Sequence, residues 1–332
     1  MHLGKKIAVV VPAFNEETQI CVVIDTMPAC VDKIVIINDR STDSTESVVK
    51  SKMRSKNNRV KLLNHETNQG VGAAIATGYA WCRDNDFDLV AVMAGDAQMN
   101  PNDLTNLLTP VALDYVDYSK GNRLHSIESI KKIPKVRLTG NIILSFLTKL
   151  VSGYWNIADS QTGYTVINKK ALQKIDWDKM YKRYGQPNDL LVTLNIHGMR
   201  VVDIPIDPVY GVGEKSGIKI PTVMWTIGTL LIRLFFRRMK VKYIIQGFHP
   251  LVLFYMLGFL SIILGSLSGI RVLTIWLSQG FMPEVSLLLT IFMLLIAFNS
   301  FFFGMLFDYQ ENRQVDLKYT DLPEQTEAVN NN

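Results

Sequence analysis

Charge is missing from two long stretches of this 332-residue chain: Pro250–Ile270 contains none, and neither does Val285–Phe307. As a helix, each is long enough to cross a hydrocarbon layer of about 30 Å. Helices buried in water-soluble cores rarely run so far without a charge, so a pair of transmembrane helices is expected. Lys and Arg are also absent from the connection between them, Gln279–Glu284, whereas Arg233, Arg237, Arg238, Lys240 and Lys242 crowd just before the first stretch. The positive-inside bias then places both chain ends in the cytoplasm. No secretory leader is expected, because Lys5 and Lys6 run directly into an apolar strand pattern. The first 220 residues are therefore expected to stay on the side where they are made, in an integral protein of the cytoplasmic membrane.

Cysteine is scarce. Cys21, Cys30 and Cys82 are odd in number and have no metal-ligand spacing, and the five histidines are scattered. This argues against a disulfide framework, a zinc site and a Cys/His nucleophile. The formal net charge of +5 gives no sign of a nucleic-acid partner. Part of it belongs to the basic cluster beside the first apolar stretch, where it suits topology and anionic lipid, and aromatic–basic interleaving is absent elsewhere.

What is present, up to about residue 120, is a regular alternation. Lys6–Val11, Lys33–Ile37, Val60–Leu63 and Leu89–Met93 have strand patterns, and 16–28, 43–55 and 70–84 have helical patterns between them. Such alternation predicts an α/β domain with a mostly parallel sheet and helices on both faces. Ligands of such sheets bind at the C-terminal strand ends, which is where the unusual residues sit: Pro12-Ala13-Phe14-Asn15-Glu16, Asn38-Asp39-Arg40-Ser41-Thr42-Asp43, Asn68-Gln69-Gly70 and Gly95-Asp96. Beyond Arg123 the spacing predicts a helix over 134–152, a strand at Gly163–Ile167, a helix at Asn188–His197 and a closing strand at Arg200–Ile204. Pro221–Lys242 has the pattern of an amphipathic interfacial helix, with Trp225, Leu230, Leu231, Phe235 and Phe236 beside the basic cluster. The expected organisation is a catalytic domain over 1–220, a juxtamembrane segment over 221–247, two spans over 248–308 and a polar, unstructured tail over 309–332.

The loop after the fourth strand, Val92-Met93-Ala94-Gly95-Asp96-Ala97-Gln98-Met99-Asn100-Pro101, has one carboxylate and almost no bulk around it. Mg2+ takes one or two oxygen ligands from protein and leaves the rest to phosphates and water. Asp96 and Gln98 could supply such a pair, and the small neighbours would let a diphosphate approach. Alone, an Asp-x-Gln before a proline is more readily a turn or a helix cap than a cation site; the other three strand ends give the cation reading its weight.

PAFNEE, INDRSTDST, NQGVGAA and GDAQMNP together resemble, in order, the family 2 glycosyltransferases of the GT-A fold, a Rossmann-like nucleotide-sugar transferase architecture. Within that family the chain is most similar to the dolichol- and polyprenyl-phosphate mannose or glucose synthases, over residues 5–215. The resemblance implies that Pro12, Phe14 and Glu16 border a nucleotide, that Asp39 contacts its base, and that Asp96 and Gln98 hold Mg2+ or Mn2+ on the sugar diphosphate. Gly121-Asn122-Arg123 resembles the family's Gly-Ser-Arg, whose arginine faces the phosphates, and Asp159-Ser160-Gln161-Thr162-Gly163-Tyr164 resembles its Asp-x-x-Ser-Gly-Phe strand. Arg137 and Lys215 are further cations for a phosphate acceptor, and Asn188-Asp189 stands where relatives carry a catalytic base. One residue departs from the pattern: the first acid of the family's Asp-x-Asp is Ala94 here, which removes one charge from the cation site.

The implied activity is transfer of a hexose from a UDP-glucose- or GDP-mannose-type donor to a polyprenyl phosphate on the cytoplasmic face. Two other readings stay open: transfer to a glycolipid or polysaccharide hydroxyl, which would need Asp189 as base, and an inactive nucleotide-binding membrane anchor. Two spans enclose little volume, which together with the resemblance leaves a homo-oligomer open.

Overall fold

The computed structural model describes residues 1–55, 58–209 and 220–323. The chain divides into two compact units, Met1–Phe235 with Gln314–Asn332, and Phe236–Arg313. The first unit begins with β1 (Ile7–Ala13), α1 (Ile20–Thr26), β2 (Lys33–Asn38), α2 (Thr45–Ser55), β3 (Val60–Asn64), α3 (Val71–Asp84) and β4 (Leu89–Val92). It continues through α4 (Leu104–Ala112), β5 (Tyr118–Asn122), α5 (Ile127–Lys132), α6 (Lys135–Ser152), β6 (Thr165–Asn168), α7 (Lys169–Lys174), α8 (Gln186–Ile196) and β7 (Val201–Pro205). Helix α9 (Ile220–Lys240) carries the chain into the second unit, where a π-helical turn at Val241–Ile245 precedes α10 (Leu251–Gln279) and α11 (Glu284–Asn312). Strand β8 (Asp316–Leu317) belongs to the first unit again.

The strands lie in the order β3-β2-β1-β4-β6-β5-β7-β8. All pairings are parallel except the two that β6 makes with β4 and β5. Because successive side chains of a strand point to opposite faces, Ile7, Val9 and Val11 pack on one side with Ile20, Ile24, Val49, Leu104 and Leu108 of α1, α2 and α4. Ala8 and Val10 pack on the other with Ala74, Tyr79, Leu172 and Leu191 of α3, α7 and α8. Both faces are covered, so β1, β2 and β4 are near-continuously apolar and end in polar loops.

Two features depart from the sequence-based expectation. Strand β5 was hidden by its composition: Ser119 and Lys120 are wholly buried in the sheet, where Lys120 Nζ donates to the Thr162 carbonyl and Ser119 Oγ to Leu107 O at 2.7 Å. The polar tail is not unstructured throughout. Helix α11 runs to Asn312, and β8 then pairs in parallel with Val201 and Val202. Val315 and Leu317 pack on opposite sides of the sheet, while Asp316 Oδ2 accepts from Asn156 N at 2.8 Å. Two apolar residues around one acid are too short a signal for any periodicity.

In the second unit α10 and α11 are long and apolar enough to cross a membrane. They meet through small residues. A Cβ on Gly258 would stand 3.1 Å from the Phe301 ring, and one on Gly304 would stand 3.2 Å from the Tyr255 ring; glycine at such points lets helix backbones approach closely. Arg238 of the basic cluster is fully buried. It is bonded twice to Asp308, at 2.9 and 2.8 Å, and Tyr243 and Asn312 donate to the same carboxylate at 2.6 and 3.0 Å.

Candidate functional site

The C-terminal ends of β1, β2, β3 and β4 form one rim, joined by hydrogen bonds between loops. Asn15, at φ 59°, accepts from Thr42 N at 2.8 Å and gives its own N–H to Ser41 Oγ at 3.0 Å. Glu16 N donates to Thr45 Oγ1 at 2.8 Å, and Thr45 Oγ1 donates to Asp43 Oδ1 at 2.6 Å. The Asn, Ser and Thr residues of both motifs thus serve the backbone, as short polar side chains do in turns.

Asp39 is buried and organises the third loop. Its Oδ1 faces His65 Nδ1 at 2.7 Å and accepts from Gln69 N at 2.9 Å, and its Oδ2 accepts from Gly70 N at 2.8 Å. Gly70 is required here twice over: its φ is +99°, and a Cβ would stand 2.6 Å from the Lys182 carbonyl oxygen. His65, held on its far side by Thr77 Oγ1 at 3.0 Å, is a site residue that the sequence reading passed over. Its only signal was position, one residue after a strand end.

The Asp96 loop follows β4. Gly95 N donates to the Pro12 carbonyl at 3.2 Å, and Gln98 N donates to Asp96 Oδ1 at 3.1 Å. Ala97 sits at φ 57°, so the chain turns tightly and leaves Asp96 and Gln98 on one short loop. A Cβ on Gly95 would come within 3.4 Å of Glu16 Cγ, which places Glu16 beside this loop. Burial, then the neighbouring Asp96 and Asp43 carboxylates, push the Glu16 carboxyl up to about 7. A rim where burial and two neighbouring carboxylates raise the pKa of a third is suited to a cation. Oxygen donors from a carboxylate and an amide, with a second carboxylate alongside, fit a hard divalent ion and not a soft one. Phe14 is about half exposed at the same edge.

A second group of residues lies at the ends of β5 and β6. Arg123 forms a two-pronged ion pair with the buried Asp159, Nε–Oδ2 2.7 Å and Nη2–Oδ1 3.1 Å. Although burial opposes it, Arg123 and Lys120 hold the Asp159 carboxyl below its usual value. Gln161 Nε2 donates to Ser160 Oγ at 2.6 Å and to Asn188 Oδ1 at 3.1 Å. The two groups are adjacent, since Tyr164 Oη donates to Asn100 O at 3.1 Å. Asp189 is buried in the first turn of α8, where its Oδ2 accepts from Tyr181 N at 2.7 Å. Arg137 lies in the first turn of α6, but its side chain, like all of Lys215, falls outside the described residues.

Comparison with known proteins bears on the family and the fold. The family model for glycosyl transferase family 2 matches residues 8–176. The chain is 29% identical, over 62% of its length and 86% of the relative's, to the UDP-N-acetylglucosamine–dolichyl-phosphate N-acetylglucosaminyltransferase of Methanococcus voltae. It is 25% identical, over 68% of its length and 86% of the relative's, to the polyprenol monophosphomannose synthase of Mycolicibacterium smegmatis. Among solved structures it resembles glucosyl-3-phosphoglycerate synthase from Mycobacterium tuberculosis, crystallised with Mn2+, UDP and glucosyl-3-phosphoglycerate. The TM-score is 0.51 at 17% identity, covering 71% of this chain and 80% of that one, a likeness of fold. The sheet is accordingly a GT-A-like α/β fold, and the chain belongs to glycosyl transferase family 2.

Proposed function

We propose that this glycosyltransferase moves a hexose from a nucleotide-sugar to a polyprenyl phosphate at the cytoplasmic face of a membrane, with inversion at the anomeric carbon. The observation that supports the reading is the joining of four strand-end loops, the Asp96 loop among them, into one rim, in a chain that also has two span-length helices. The names of the relatives, which act on dolichyl or polyprenol phosphates, support the acceptor class.

In this reading Pro12, Phe14, Glu16 and Asp39 line the nucleotide. Phe14 offers an exposed ring, and Asp39 holds the 68–70 backbone that borders the base. Asp96 and Gln98 would hold Mg2+ or Mn2+, which when bound supplies positive charge to the departing diphosphate. Glu16 brings a second carboxylate to the loop where Ala94 has none. Arg123, Arg137 and Lys215 draw the acceptor phosphate toward an already anionic donor, a role that needs fixed cations.

A phosphomonoester has a second pKa of about 6, so its oxygen attacks the anomeric carbon without help from a strong base. The C1–O bond to the nucleoside diphosphate breaks, and its electron pair leaves with the diphosphate. Asp189, engaged with the Tyr181 backbone, is not needed as a base in this scheme; a hydroxyl acceptor would need it.

The test is purified protein in detergent with a panel of UDP- and GDP-sugars, with and without undecaprenyl phosphate. A lipid-phosphate-dependent sugar product is expected. Transfer to hydroxyl acceptors alone, or donor binding without any transfer, would overturn the reading.

A further inference from the structure

The segment that follows the second span-length helix returns to the catalytic unit and hydrogen-bonds to the loop that carries Asp159. Asp316 Oδ2 accepts from Asn156 N at 2.8 Å, and the Asp316 carbonyl accepts from Asn156 Nδ2 at 2.7 Å. Two residues on, Asp203 of β7 accepts from Ala158 N at 2.6 Å and Asp159 N at 3.3 Å. Asp159 then accepts from Gln161 N at 3.2 Å, and from the Arg123 guanidinium at 2.7 and 3.1 Å. Three buried carboxylates thus hold one irregular loop, 155–161, from Asp316 through to Arg123.

The arrangement is costly unless it serves a purpose. Asp203 and Asp316 are both more than nine-tenths buried, and the Oδ1 atom of each has no hydrogen-bond partner among the described residues. Burying an unpaired acceptor costs about 1–3 kcal/mol. Burial accordingly pushes the Asp316 carboxyl up to about 6. Apolar residues would close the sheet edge beside β7 with no such penalty. What the acids add is a fixed backbone at Asn156, Ala158 and Asp159, which sets where the Asp159 carboxylate stands and therefore where it holds the guanidinium. A supporting shell of this kind keeps a functional group in its productive geometry.

We propose that Asp316 is a positioning residue for the transferase: through loop 155–161 and Asp159 it fixes Arg123 for the acceptor phosphate. The proposal rests on the reading of Arg123 given above. It makes the chain beyond the hairpin part of the acceptor side of the site: the hydrogen bonds of Val315 and Asp316 run to β7 and to loop 155–161, whereas the nucleotide side is built on β1, β2, β3 and β4.

The experiment compares full-length wild type, Asp316→Ala, Asp316→Asn and Asp159→Asn in detergent. It measures kcat and KM for undecaprenyl phosphate, and donor affinity by titration. Because displacing a reacting group by about 1 Å can cost about a hundredfold, Asp316→Ala is expected to lower kcat/KM for the lipid at least tenfold. Donor affinity should stay within about twofold. Asp316→Asn keeps an oxygen for Asn156 N and should recover most of the loss. If Asp316→Ala does not fold, Asp159→Asn carries the test, with the same acceptor-specific loss expected. An unchanged lipid kcat/KM in both variants, or a loss shared equally with donor affinity, would overturn the proposal. Wild-type protein that transfers nothing to the lipid would overturn the proposed function itself, and the positioning role with it.

Discussion

Arg238 and Asp308 form a doubly hydrogen-bonded ion pair in which both residues are 0% exposed. Removing one partner leaves the other charge buried without its counter-ion, which typically costs about 3–5 kcal/mol, whereas replacing both with apolar residues is often neutral. Arg238→Met alone should therefore lower the melting temperature in detergent sharply, and Arg238→Met with Asp308→Leu should recover much of the loss. A double variant no better than the single one would show that the pair also fixes the π-helical turn through Tyr243.

In the sequence Arg238 is one of five cations before an apolar stretch, and such a run carries no mark of which member faces inward. Its partner lies 70 positions away, and pairing at that distance has no local signal. The strand-end motifs were legible for the opposite reason. Each is local, and a parallel sheet delivers consecutive strand ends to one rim, so βαβ alternation alone placed Asn15, Asp39, Gly70 and Asp96 together. Strand β5 and the return strand β8 were not legible, since buried Ser119 and Lys120 look like surface residues in a list of letters and β8 is two residues long.

Asp39 should govern donor affinity more than turnover. Its two oxygens accept the Gln69 and Gly70 N–H groups, and Asp39→Ala leaves both donors without their acceptor. At about 1–3 kcal/mol for such a loss, the donor Kd should rise roughly 5- to 150-fold with a smaller change in kcat. Titration of the donor against single-turnover rates separates the two; lost turnover with intact binding would reassign the residue to the chemistry. His65→Ala should reproduce a smaller part of the same effect.

Glu16 predicts a dependence on pH. Its carboxyl is raised from 4.5 to about 7 by burial, Asp96 and Asp43. Between those values the folded protein holds a proton that the unfolded chain has released, so stability falls as pH rises from about 4.5 through 7. A divalent cation at the Asp96 loop offsets the ionised form. Added Mg2+ or Mn2+ should consequently raise the melting temperature more at pH 8 than at pH 6, and Glu16→Gln should flatten that difference. Equal cation effects at both pH values would place the ion away from Glu16.

The return strand bears on how the catalytic unit can be isolated. A chain cut at Lys219 loses β8, which pairs with Val201 and Val202 and bonds Asn156. It should retain donor binding but melt lower than a version in which 314–323 is joined back through a short linker. Identical melting of the two would mean that β8 contributes nothing to the stability of the sheet.

Most directly, the account stands on Asp96. Transfer from the preferred nucleotide-sugar to undecaprenyl phosphate should be measured against Mg2+ and Mn2+ concentration for wild type, Asp96→Asn, Gln98→Ala and Ala94→Asp. Wild-type transfer should vanish in EDTA and return with either ion. Asp96→Asn should nearly abolish it at all ion concentrations, and Gln98→Ala should cost less, because water can replace a neutral ligand. Ala94→Asp should be tolerated and tighten the metal requirement. Full wild-type transfer in EDTA, or an Asp96→Asn enzyme that works as well as wild type, would contradict the account and leave the loop after β4 as a turn with a capping acid.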